Sequence, residues 1–470
     1  MIFDIDERPP FHIAFMYAVQ QAFSSVSGSL AAVFLIHTTI CAAGNDVLLS
    51  ELFCTTVFVN GFGTWLQCTL GTRLPILQGS NYASLVPIIA MMSTEEWRCP
   101  DRTLGALPNS LSVNVTETSM TPGVFEEAWR TRIRAISGAL SLACVIETLI
   151  GVSGVIGYLT QYIGPLTVAP TIMMVTLSLF PAAVNACQPN WGIALLTAGL
   201  IGIFSLATQN LLIPAPVIGP DRKLHIQRYP LCQLFALVLA TTVSWLLCYI
   251  LTLTDVFPND PNNSSYKART DVKLDIIYKS RWLFIPYPGQ WGLPTFNAGV
   301  FFGMLAIIFC SVIESVGDYY ATAAICRLPP PPKDVIGRGI ATEGLGCLIG
   351  ALMGSCHATT SYSQTIGFVG MTRVASRYTW QLMGCMLMAC AFLGKFGAVL
   401  TLMPEPIVGG MLIAGLGMVF SIGVSSAQHI DMAAPRNMFT LGVAIMLGMC
   451  VPYWLEQNPD VVRTGQSATR

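Results

Sequence analysis

Ser311-Val-Ile-Glu314-Ser-Val-Gly-Asp318, Thr359-Thr-Ser-Tyr-Ser-Gln364-Thr-Ile-Gly367 and Gly370-Met-Thr372-Arg373 put acidic, amide and hydroxyl side chains where apolar runs would otherwise continue. A carboxylate or amide buried in hydrocarbon costs several kcal/mol unless it is partnered, so such residues face a protein interior and often line a solute or ion path. The three stretches read as a polar site embedded in a membrane bundle.

The surrounding chain supports a bundle. Of 470 residues, 53% are hydrophobic and 10% charged, and the mean hydropathy is +0.61, whereas soluble domains carry roughly 25% charge. This is the composition of a polytopic membrane protein. A formal net charge of -1, without a basic tail or acidic block, gives no electrostatic reason for a nucleic-acid partner. Most of the fifteen cysteines sit singly inside apolar runs, among them Cys54, Cys68, Cys144, Cys248, Cys310, Cys347 and Cys390, and read as small core hydrophobes. Cys99 lies in a polar loop and could pair if that loop is extracellular, but sequence names no partner, so no disulfide is expected. The five histidines, His12, His37, His225, His357 and His429, lack ligand spacing, so no metal site is expected either. Met1 to Pro10 lacks a basic segment ahead of the first apolar run, which reads as a retained span rather than a cleaved signal.

A helix crossing hydrocarbon needs roughly 20 apolar residues, and scanning for such runs finds about a dozen. They lie near 12–36, 50–70, 76–92, 136–158, 163–185, 190–214, 231–254, 298–322, 338–355, 378–403, 407–424 and 437–454. Two segments are too short or too interrupted for a full span: Gln78-Gly-Ser-Asn-Tyr-Ala-Ser-Leu-Val-Pro87 and the Gln364 stretch with Gly367 and Gly370. They occupy corresponding places in the two halves, and a matched pair of broken segments points to a transporter's midplane site. Unwound backbone survives at that depth only by lining a cavity or by being buried in protein.

Sequons at Asn114, Asn262 and Asn263 fall in the two long polar loops, 93–135 and 255–296, which places both outside the cell. Arg73, Arg222, Lys223, Arg228, Arg327, Lys333, Arg373 and Arg377 then fall in cytoplasmic connections, as the positive-inside tendency requires. Arg130, Arg132 and Arg134, next to the following span, run against it. The expected location is a plasma membrane crossed many times, with the N-terminus in the cytoplasm.

Glu314 and Asp318 are four apart on a candidate helix, so they share one face about one turn apart. Two such carboxylates resist ionising together in a low dielectric, which suits a site that holds a proton or meets a cation. Asp318 has a blander alternative, pairing with Arg327 or Lys333. Gln364 offers donors and an acceptor suited to an amide-like edge on a heterocycle, or to the freed backbone of a broken helix. Tyr82 can place a ring against a flat solute, with the Ala83 and Ser84 backbone beside it, or simply pack. Gly346, Gly350 and Gly354 repeat every four residues and read as a close helix contact. No nucleophile–base pair or phosphate loop appears, so no enzymatic role and no organic cofactor are expected.

Ser363-Gln364-Thr365-Ile-Gly367-Phe-Val-Gly-Met-Thr372-Arg373 resembles the signature of nucleobase-ascorbate transporters. Gly71-Thr-Arg-Leu-Pro-Ile-Leu-Gln-Gly79, Glu314-Ser-Val-Gly-Asp-Tyr-Tyr-Ala321, the Pro329 to Pro332 run and Arg338-Gly-Ile-Ala-Thr-Glu-Gly344 resemble the animal ascorbate branch of that family. The resemblance implies an all-α fold of two inverted seven-helix repeats, with broken helices at the midplane, split into core and gate domains. On that division, 1–92, 136–158 and 297–403 form the core, 163–254 the gate of the first repeat, and 404–470 a partial gate of the second. It further implies a homodimer in the bilayer, elevator-like movement, and coupling of a small solute to sodium or protons. Glu314, Gln364, Tyr82, Ala83, Ser84, Ser363 and Thr365 are then the solute-binding positions, with Asp318, Gln21, Gly367 and Thr372 in ion coupling or support of the site.

Three departures stand out. The family commonly has Gln-His where this chain has Gln20-Gln21, and Asn where it has Thr365. Gln364 matches nucleobase carriers, whereas ascorbate carriers typically have Pro there. The chain also stops at Arg470, where the resemblance would continue into a fourteenth helix, so a non-transporting binding or regulatory relative is the alternative expectation.

Overall fold

The computed structural model describes residues 3–42, 44–94, 97, 99, 122–159, 164–208, 210–211, 213–218, 224–229, 232, 235–260, 263–272, 274–362, 369, 374–428 and 430–458. Among them, nine helices are long and apolar enough to cross a membrane, and two shorter apolar helices, Tyr82–Met92 and Trp191–Ala207, fall below that length. The chain begins with α1 (Phe11–Thr39), α2 (Asp46–Thr69), β1 (Gln78–Ser80), a 3-10 turn (Tyr82–Ser84) and α3 (Leu85–Ser93). It continues through α4 (Pro122–Ser153), α5 (Val155–Leu159), α6 (Pro165–Ser178), α7 (Phe180–Cys187), α8 (Trp191–Gly202), β2 (Ile213–Ile218), β3 (Leu224–Tyr229) and α9 (Ala236–Leu253). The second half holds α10 (Asp275–Lys279), α11 (Ala298–Ile325), α12 (Lys333–Met353), β4 (Thr359–Ser361), α13 (Arg377–Ala391), α14 (Gly394–Thr401), α15 (Glu405–Ala427) and α16 (Pro435–Gln457).

The fold is predominantly helical, as expected, with two short strand pairs set among the helices. β1 pairs antiparallel with β4, Gln78 opposite Ser361, Gly79 opposite Thr360 and Ser80 opposite Thr359. Each broken segment leaves backbone donors and acceptors that a bilayer cannot hydrate, and each supplies the other's partners. Asn81 N–H donates to the Ala358 carbonyl at 2.8 Å and Tyr362 N–H to that of Leu77 at 2.9 Å, extending the ladder at both ends. A second ribbon, β2 with β3, occupies part of what read as the span 190–214. The helix there ends in a π turn over Ile203–Ala207, just before that ribbon.

Two further boundaries differ from expectation. Helix α4 starts at Pro122, well inside the stretch read as the loop 93–135. The three arginines that read as loop are held by its first turns. Arg130 pairs with Glu126, Arg132 donates to the Ala128 and Trp97 carbonyls, and Arg134 donates to the Leu293 carbonyl. Thr295 N–H also donates to the Arg134 carbonyl at 3.0 Å, so the first turns of α4 and the end of the loop 255–296 lie together. Cys99, expected to be unpaired, forms a disulfide with Cys41 beyond the end of α1. Of the sequons, Asn263 is exposed and caps a short turn by accepting from Ser265 N–H; Asn114 and Asn262 lie outside the described residues.

Helices meet closely where side chains are small, as packing without a hydrophobic drive requires. A Cβ on Gly350 would lie 2.7 Å from Val59 Cγ1, and one on Gly346 3.6 Å from the Gly63 Cα, so both make the expected contact with α2. Gly354 has a different duty: with φ +75° it is the left-handed C-cap of α12. At the crossing of α2 and α13, a Cβ on Gly61 would lie 2.7 Å from the Gly384 carbonyl, and one on Gly384 equally close to that of Gly61. Backbone cannot yield there, so Gly61→Ala is expected to destabilise the protein by about 1–3 kcal/mol. A lowered melting temperature in detergent checks it, and an unchanged one would show that the helices slide apart freely.

Candidate functional site

The end of β1, the turn after it, β4 and the middle of α11 converge on one cavity. It is narrow, with a volume of about 30 Å³, and is lined by Ser80, Asn81, Tyr82, Glu314, Thr360 and Tyr362 on one side and by Val175 and Thr176 of α6 with Leu416 and Val419 of α15 on the other. That volume has room for about two waters, so a larger solute would need the two walls to part. The polar wall belongs to the broken segments and α11, and the mostly apolar wall to two other spans.

Each polar residue is positioned by its local structure. Asn297 caps α11 by accepting from Val300 N–H at 3.1 Å. The helix then runs unbroken to Ile325 and carries Glu314 and Asp318 one turn apart. Glu314 is half-buried at the cavity, while Asp318 is 3% exposed and faces the interior. Tyr82 donates to the Gly28 carbonyl on α1 at 2.8 Å, which fixes its ring at the cavity edge. The neighbours expected beside it stand back: Ala83 N–H and the Ser84 hydroxyl both bond to Asn81, closing the turn rather than facing the cavity. Gln21 is buried on α1, and its side-chain oxygen lacks a hydrogen-bond partner. Ser363, Gln364, Thr365, Gly367 and Thr372 lie outside the described residues.

Sequence reasoning missed the centre of the polar network. Glu343 on α12 is 2% exposed. Its Oε1 accepts from the Ser315 hydroxyl at 2.6 Å, and its Oε2 from Tyr319 at 3.0 Å and Ser361 at 3.2 Å. Ser315 also touches the Thr360 hydroxyl at 3.1 Å, and Gln67 donates to Tyr319 at 2.8 Å. One carboxylate thereby ties α2, α11, α12 and β4 together. The other end of the strand pair is held by Asn60, which donates to Ser80 at 3.4 Å and to Ser29 of α1 at 2.8 Å, and by His357, whose Nε2 lies 3.1 Å from the Thr56 hydroxyl and 3.4 Å from that of Ser80. The signal for Glu343 was present: an ionisable residue within a membrane-length helix is a site candidate in its own right.

A bundle of apolar spans that pairs two broken segments around a polar cavity is the architecture of a membrane permease. The profile of the Permease family matches residues 12–457. Solute carrier family 23 member 1 of Rattus norvegicus is 38% identical over 465 residues, 99% of this chain and 75% of that one. Solute carrier family 23 member 2 of Mus musculus is 37% identical over 98% of this chain and 69% of its own. Nucleobase-ascorbate transporter 1 of Arabidopsis thaliana is 30% identical over 98% of this chain and 82% of its own. The chain belongs to the nucleobase-ascorbate transporter family of permeases, and it is more similar to these two solute carrier 23 members than to the plant transporter. Among solved structures, the transmembrane domain of a cyanobacterial bicarbonate transporter, BicA, aligns with 94% of the chain at a TM-score of 0.47 and 12% identity, too weak a likeness to carry more.

Proposed function

We propose that this permease is a secondary active transporter that takes a nucleobase or ascorbate into the cavity between Glu314 and Tyr82, coupled to sodium or protons. The observation that carries the reading is the half-buried Glu314 carboxylate, which makes no hydrogen bond or ion pair with any described residue while facing that cavity. A carboxylate in such a place is matched by N–H or O–H groups of a planar solute, with the Tyr82 ring beside it. Nucleobases and ascorbate both offer those groups, and both appear in the names of the plant relatives. Gln364, Ser363 and Thr365 complete the solute contacts in this reading, and Asp318, Gln21, Gly367 and Thr372 serve ion coupling or hold the site.

The two walls support a core that moves against a gate. The polar wall, with α11, α12 and the strand pair, would carry the solute, and α6 and α15 would form the surface it slides past. Assembly as a homodimer anchored through the gate suits that motion. The Cys41–Cys99 disulfide suits an oxidising face and supports a reading in which that end of α1 lies outside the cell, the N-terminus in the cytoplasm and the protein in the plasma membrane. Nothing in the described site favours the non-transporting alternative, since Glu314, Asp318 and the Glu343 network are all in place.

The test is uptake of labelled xanthine, uracil and ascorbate by cells expressing the chain, with sodium and pH varied separately. Saturable uptake of one solute, dependent on one of the two ions, is the expected result. No uptake of any of them at verified surface expression would overturn the substrate class.

A further inference from the structure

Helices α4 and α12 approach through glycine. A Cβ on Gly344 would lie 2.7 Å from the Thr148 nitrogen, and one on Gly337 3.0 Å from the Gly151 carbonyl. The contact closes over three polar side chains, Cys144 and Glu147 of α4 and Cys347 of α12, each with 0% exposure. Cys144 Sγ lies 2.9 Å from Cys347 Sγ. The two sulfurs and a Glu147 oxygen all fall within 4.8 Å of one another, the single such grouping of possible metal ligands among the described residues. Both oxygens of Glu147 lack any hydrogen-bond partner.

An ionised carboxylate left unpaired in a dry helix interface costs several kcal/mol. A neutral one still buries an O–H without an acceptor. The missing partner must therefore be a cation or a group that shares its place, and two thiols beside it select a soft one. We propose that Cys144, Glu147 and Cys347 form a buried site for a thiophilic divalent cation, best suited to zinc, that clamps α4 to α12. Zinc bonds of about 2.3 Å to sulfur and 2.0–2.2 Å to oxygen put neighbouring ligand atoms roughly 3.5–3.8 Å apart in a tetrahedral site, so binding would spread the two sulfurs from their present 2.9 Å. Both cysteines would bind as thiolates and Glu147 as a carboxylate, three negative charges against two, and the protons these groups hold without the ion leave on binding. The fourth position falls to a small ligand such as water. Cys347 lies one turn beyond Glu343 on α12, so the clamp would fix the helix that carries the polar network.

The whole chain, purified in detergent and stripped with a chelator, is titrated with Co²⁺ alone. The expected result is thiolate-to-cobalt charge-transfer absorption that saturates at about one ion per chain and is displaced by Zn²⁺. It is expected to vanish in Cys144→Ala and Cys347→Ala, and to need at least tenfold more Co²⁺ in Glu147→Gln, which keeps the side-chain volume should a cysteine variant fail to fold. Replacing the exposed Cys385 and Cys450 by serine should leave it unchanged. No such absorption in the natural chain, or absorption that survives loss of Cys144 and Cys347 and disappears with Cys385 and Cys450, would overturn the site.

Discussion

Glu314→Gln is expected to reduce solute uptake ten- to hundredfold at matched surface expression. The amide keeps the size of the carboxylate, so the fold is spared, but it exchanges an anionic acceptor for a neutral group with a donor edge. A hydrogen bond to a charged group contributes about 1.5–3 kcal/mol, and each 1.4 kcal/mol is tenfold in affinity. Because Glu314 makes no bond to the described protein, little folding energy depends on its charge, and the loss should fall on transport. Uptake of the preferred labelled solute, measured beside surface biotinylation, separates the two. Normal uptake by the variant would remove Glu314 from the solute site and leave its position at the cavity without a function.

What the sequence made legible was the part of the site that breaks a local pattern. Glu314 and Asp318 interrupt an apolar helix, and Gln78 to Pro87 interrupts a span, so each is visible within a single turn or segment. What the sequence hid depends on distance along the chain. The register of β1 on β4 joins two three-residue strands from opposite halves, and no local periodicity encodes a pairing that short. The same holds for the Cys41–Cys99 bond, whose cysteines sit in unrelated contexts, and for Cys144 with Cys347, each an unremarkable small residue in its own helix. The arginines in the first turns of α4 read as loop because charge at a span boundary is ordinarily solvated. Here they find carbonyl and carboxylate partners, and the helix extends outward to Pro122. Glu343 was overlooked for a different reason: the Gly-rich spacing of its helix drew the reading towards packing, and its polar neighbours come from α11 and β4 rather than from its own turn.

Glu343→Ala is the substitution expected to harm the protein most. It would leave the hydroxyls of Ser315, Tyr319 and Ser361 without their acceptor inside the bundle, at about 1–3 kcal/mol for each that finds no other. It would also open a cavity inside the bundle, since Glu343 is 2% exposed. Ser315 and Ser361 connect that carboxylate to β4, so the damage should reach the strand pair that shapes the solute cavity. The expected outcome is a large drop in melting temperature and in folded yield, with no measurable uptake. Glu343→Gln tests the same network more gently, because one side-chain oxygen remains for Ser315 while an amide now faces Tyr319 and Ser361, both of which need an acceptor. That variant should fold, at lower stability, and bind solute poorly because β4 is no longer held. The two effects can be told apart by ligand-induced thermal stabilisation: solute should stabilise the natural chain and fail to stabilise Glu343→Gln. If Glu343→Ala melts and transports as the natural chain does, the network is incidental, and the pairing of β1 with β4 by itself must hold the site open.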